Sequence, residues 1–204
     1  MTGDAPTRIE RFLAHLDDVT GSTEPRFFPI PNTREGTDAN LGGMTAIIYP
    51  EMPEPGYLMA VTYGLSLADH PAWTHGKPEL CICVESTDAN WGMAMAYLAE
   101  QLRGDSPFRY GDLLDFGGPM SEESAMSSLV FFAPAVLEPN DYLGIDVGDE
   151  LPINITGCYP IHAEEHEYIQ AHGLEQFWEQ DWDPFDVRRE PCVGEAAAAV
   201  GSTS

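Results

Sequence analysis

The sequence predicts a single α+β domain with a mostly antiparallel central sheet flanked by helices, on three observations. Short β-rich runs recur along the chain, bounded by Gly, Pro and acidic turn material. Stretches of helical spacing stand near the start, in the middle and towards the end. The 204 residues are 43% hydrophobic, with no internal repeat and no linker long enough to demand two domains, which suits one substantial core.

From Pro6 to Asp18, Ile9, Phe12, Leu13 and Leu16 recur at helical intervals between charged residues, which predicts an amphipathic helix. Gly21 to Gly43 is rich in Pro, Gly, Thr and Asn around the apolar island FFPIP, so a loop packed on the core without regular structure is expected. MTAIIYP and Tyr57 to Gly64 then read as strands. Glu79 to Glu85 alternates Leu80, Ile82 and Val84 with Cys81 and Cys83, a strand that should lie antiparallel to the previous one. SLADHPAWTHGKP, between them, belongs at one end of the sheet.

Asn90 to Arg103 repeats Trp91, Met95, Leu98 and Leu102 at helical spacing behind a cap at Thr87, Asp88 or Asn90; its Met and Trp stripe reads as core packing. FRYGDLLDFG, SSLVFFAPA and LPINITGCYPIH supply three more β-like runs, and Ala163 to His172 a last helix. The domain is expected over residues 1–189, with 190–204 a frayed tail.

Charge narrows the function. Against 34 acidic residues stand 9 basic ones, a net charge of −25. Such a surface repels phosphate backbones and anionic lipid, so neither nucleic acid nor membrane is expected as a partner, whereas a basic protein would be steered towards it. Solubility, or adaptation to a salty cytoplasm, accounts for the same excess. No apolar run is long enough for a membrane span and the polar opening lacks the centre of a signal peptide, which leads us to expect a cytoplasmic protein. Cys81, Cys83, Cys158 and Cys192 have no zinc-finger or C-x-x-C spacing and read as reduced thiols.

One segment tempts a catalytic reading. His162-Ala163-Glu164-Glu165-His166 is a literal H-x-x-E-H, in which two histidines on one helical face hold zinc and a glutamate acts as base. Few residues follow to provide a third ligand, and Pro160 puts His162 at the helix start. We therefore expect Glu164, Glu165 and Glu167 to stabilise the helix dipole and the histidines to be boundary residues. The acidic, aromatic stretch EQDWDPFD lacks an ordered run of calcium ligands. Nucleophile elbows and glycine-rich phosphate loops are missing, so no catalytic residue, metal or cofactor is assigned.

The order of several fragments resembles the suppressor-of-fused family: YLMAVTYGLS (Tyr57 to Ser66), ELCICV (Glu79 to Val84), Trp91 with its helix, Gly111-Asp112, SLVFFAP, and Tyr159-Pro160-Ile161 followed by Glu164, Glu167 and Gly173. The similarity runs over roughly residues 8 to 180. It implies a mixed, mostly antiparallel sheet and a protein-binding role. Animal members hold a transcription factor by adding a peptide strand between two lobes, and single-domain bacterial relatives look like immunity proteins or antitoxins. This chain is similar to the single-domain kind.

An immunity protein that occludes a basic toxin domain is therefore the leading expectation. A regulatory module that captures an extended peptide is the first alternative, and a zinc hydrolase using His162, Glu165 and His166 the second. For partner contacts the sequence points to Tyr63, Ser66, Asp69 and Trp73 at the sheet end, and to Trp91, whose ring would equally serve the core. Glu79, in an otherwise apolar strand, must meet donors or face solvent.

Overall fold

The structure is a computed structural model describing residues 5–32 and 42–194. Helix α1, Arg8–Val19, opens with a capping box in which Thr7 and Glu10 satisfy each other's backbone N–H groups. It buries Phe12 and Leu16, while Ile9 stays outside. The strands are β1, Arg26–Ile30; β2, Met44–Pro50; β3, Leu58–Tyr63; β4, Lys77–Val84; β5, Leu113–Asp115; β6, Ser128–Phe132; and β7, Ile153–Ile161. The remaining helices are α2, Asn90–Gln101; a short α3, Pro139–Tyr142; α4, Ala163–His172; and α5, Leu174–Trp178.

The strands form one sheet in the order β1-β2-β3-β4-β7-β6-β5, antiparallel throughout except where β4 meets β7. Its period of two sorts the core. Leu80, Ile82 and Val84 of β4 face α2, whose Trp91 and Met95 are fully buried, while Cys81 and Cys83 face the side of α1. On β7, Ile153 and Ile155 pack with the α1 cluster, and Tyr159 and Ile161, on the same face, pack with α4 and α5. The sheet is thus covered by α2 on one side and by α1 with the α4–α5 pair on the other. Among the described residues no helix is long and apolar enough to cross a membrane.

Three expectations are corrected. The FFPI part of the island expected in a loop is β1, paired residue by residue with β2; Pro29 is tolerated because β1 is an edge strand, where a missing N–H breaks no inner ladder. Residues 33–41 of the expected loop lie outside the described residues. Helix α2 begins behind Ala89, and Asp88 serves by accepting from the Asn90 N–H at 3.0 Å. Within the expected tail, Val193 is buried in the α4–α5 cluster and Cys192 is bound to Glu165, so packing continues past residue 189; 195–204 lie outside the described residues.

Candidate functional site

At the end of β3 the chain turns on Gly64, whose φ of 123° suits glycine alone, into a single 3-10 turn at Leu65–Leu67. Glu79 of β4, with no exposed surface, fills the space where β3 and β4 part. Its carboxylate accepts from the Thr62 hydroxyl at 2.6 Å, from the N–H groups of Gly64, Leu65 and Ser66 at 2.9, 3.3 and 3.1 Å, and from the Ser66 hydroxyl. Burial pushes this carboxyl above its ordinary value, and the donors pull it back only in part. Arg8 of α1 closes the cluster, donating to Ser66 Oγ and to Asp149, each at 2.7 Å, with its guanidinium over the Tyr63 ring.

The sequence-selected contact residues therefore divide. Ser66 is inside the Glu79 cluster. Trp73 is nearly buried and donates its indole N–H to the Pro107 carbonyl at 3.0 Å. Trp91 has no exposed surface and donates to Glu123 at 2.8 Å. As placed, these three hold the fold. Tyr63 keeps partial exposure and Asp69 is exposed, ion-paired to Lys77 at 2.7 Å.

The H-x-x-E-H residues are engaged by the protein itself. The His162 ring nitrogen Nε2 meets the Arg189 carbonyl at 2.9 Å, and His166 Nδ1 meets Ser128 Oγ at 2.9 Å. Fully buried Glu165 accepts from the His162 N–H and the Cys192 N–H, each at 2.9 Å, and forms a two-pronged ion pair with Arg189. Burial pushes the Glu165 carboxyl up, but Arg189 and these N–H groups outweigh it and hold the group below its ordinary value. Among the described residues no three metal-capable side chains converge. Glu165 instead clamps the last described stretch of chain to α4.

The surface feature that the sequence reading missed lies on the α4–α5 side. After β6 the segment Ala133-Pro134-Ala135 crosses β7 at Gly157, where a Cβ would come within 2.9 Å of Pro134 Cα and 3.0 Å of the Ala133 carbonyl oxygen. The Tyr159 hydroxyl pins it, donating to the Ala133 carbonyl at 2.6 Å and accepting from the Ala135 N–H at 2.8 Å. Between this segment, Phe132, Trp178 and Pro184 runs an open apolar groove of about 330 Å³. Aromatic rings line up beside it: Tyr110 to Phe132 at 5.3 Å, Phe132 to Trp178 at 5.5 Å, Trp178 to Trp182 at 5.2 Å. Tyr110 and Phe132 are 48% and 39% exposed and stand side by side on this surface. The only sequence signal was the mixture of aromatics and acids in EQDWDPFD.

The sequence profile of the suppressor of fused protein (SUFU) family matches residues 41–190. The chain belongs to that family. Among solved structures it is similar to a suppressor-of-fused homologue from Neisseria gonorrhoeae, with 18% identity, 91% of this chain and 96% of that one covered, and a TM-score of 0.69. A chain of the Sufu–Fu complex aligns at 13% identity over 92% of this chain and 93% of that one, with a TM-score of 0.65. Drosophila Suppressor of Fused aligns at 13% identity and a TM-score of 0.63; 91% of this chain covers 51% of that one. No curated protein matches by sequence. At these identities the structures establish the suppressor-of-fused fold, and the mixed sheet with flanking helices agrees with the fold expected from sequence.

Proposed function

We propose that this chain is a non-enzymatic protein-binding domain, and that it serves as an immunity protein which binds and neutralises a cognate basic toxin domain. Membership of the suppressor of fused family carries the binding part, with one similar chain solved in a Sufu–Fu complex. The toxin part draws on the near end-to-end match with the Neisseria homologue and on the net charge of −25, which would raise the association rate with a basic surface. Tyr63 and Asp69 offer one accessible contact, at the sheet end. Co-expression with toxins encoded beside its gene tests the proposal: rescue of growth by this chain supports it, and failure to protect against any of them removes the immunity role.

A regulatory module that captures an extended peptide is the second reading. It draws on β5, a three-residue strand at one edge of the sheet. A constitutive housekeeping protein recovered as the stoichiometric partner would favour it over immunity.

A further inference from the structure

We propose that the groove bordered by Phe132, Pro134 and Trp178 takes an extended partner segment carrying proline or leucine beside lysine or arginine, recognised through side chains and not through strand addition. This rests on the protein-binding reading above and assigns the site and the chemistry of what fills it.

The groove's backbone argues against a ladder. Pro134 has no N–H, and the Ala135 N–H and Ala133 carbonyl are both bonded to the Tyr159 hydroxyl. An arriving strand would find its usual partners taken. A segment that needs no ladder, with an extended or polyproline backbone, loses nothing by this, and aromatic-lined grooves are where such segments dock. A volume of about 330 Å³ is at the low end of ligand sites, which suits a side chain or two of a peptide rather than a globular surface. The Trp178 indole N–H is shielded from solvent and has no hydrogen-bond partner among the described residues.

Charge selects the flanks of the occupant. Glu179, Asp181 and Asp183 are exposed on the stretch that carries Trp178, Trp182 and Pro184. The cations that follow in that stretch are already used, Arg188 by Glu123 and Arg189 by Glu165. An apolar segment with basic neighbours therefore meets rings and unneutralised carboxylates together, and an acidic segment is repelled.

Panning a phage-displayed library of random dodecapeptides against the full chain tests this. The expected winners pair Pro or Leu with Lys or Arg; their affinity falls about tenfold or more with Phe132→Ser, as for a contact anchor, and several-fold with the exposed triple reversal Glu179→Lys/Asp181→Lys/Asp183→Lys. Circular dichroism and melting of both variants establish that they remain folded. Winners that keep their affinity in both variants, winners rich in β-branched residues without proline, or no enrichment at all would overturn the inference. The two proposals fail separately. A toxin still neutralised by the Phe132→Ser chain leaves immunity standing and removes the groove. Peptides lost in the variants, with no toxin neutralised, leave the groove and remove immunity.

Discussion

Replacing Glu79 by Ala takes away the acceptor for five donors at once: the Thr62 and Ser66 hydroxyls and the N–H groups of Gly64, Leu65 and Ser66. The hydroxyls can rotate, and their oxygens keep the bonds they accept, Ser66 Oγ from Arg8 and Thr62 Oγ1 from the Leu80 N–H. The three backbone donors cannot. Each stranded donor costs about 1–3 kcal/mol, so the three imply roughly 3–9 kcal/mol, and water entering the vacated space recovers enough to leave about 4 kcal/mol. Within a total stability of about 5–15 kcal/mol that is a severe loss. Ser66→Ala removes one hydroxyl and should cost only about 1 kcal/mol. Urea unfolding followed by tryptophan fluorescence and circular dichroism gives both differences from the midpoints, provided the slope is unchanged. A Glu79→Ala loss below about 1 kcal/mol would refute the view that the carboxylate organises this turn.

Other expectations follow from the same structure. Gly157→Ala pushes a methyl against Pro134 and Ala133, and should cost about 1–3 kcal/mol in urea unfolding, with the near-ultraviolet signal of the neighbouring aromatics altered. Glu165, held below its ordinary value of 4.5, stabilises the fold fully above that pH, and its contribution is lost as the pH falls further towards its folded value. The stability gap between wild type and Glu165→Gln should therefore be widest near neutrality and shrink below about pH 4.5; a gap unchanged down to pH 3 would contradict the clamp. Protein purified without a histidine tag should carry far less than one zinc per chain by elemental analysis, because His162, Glu165 and His166 already have protein partners. Removing several exposed carboxylates together should slow association with a basic partner and flatten its salt dependence in stopped-flow measurements.

Local pattern made much of this fold legible. Alternation in ELCICV sorted Leu80, Ile82 and Val84 from Cys81 and Cys83 correctly, and the helix at Ala163 to His172 was bounded correctly by Pro160 before it and Gly173 after it. What pattern did not reveal depends on distant partners. The Pro, Gly, Thr and Asn around FFPI point to a loop, and only pairing with the neighbour β2 makes FFPI an edge strand. The parallel contact of β4 with β7 leaves no mark on either strand, because both are buried on both faces. Glu79 was read as needing donors or solvent, and the turn at Gly64 supplies the donors. The groove was least legible, since its walls come from Phe132 and from Trp178 and Pro184, and what joins them is the absence of a side chain at Gly157. Trp91 and Trp73, chosen as aromatic contacts, are buried, Trp91 where α2 packs on the sheet and Trp73 beside the Pro107 loop, and composition cannot distinguish such rings from exposed ones.

The most direct test of a protein-binding domain is to isolate the full chain from the cell that makes it, identify what accompanies it by mass spectrometry, and titrate the purified pair in a calorimeter. The expected result is one basic protein bound at one-to-one stoichiometry, weaker as salt rises. A chain that returns alone, or that binds its companion with no dependence on salt, would contradict it.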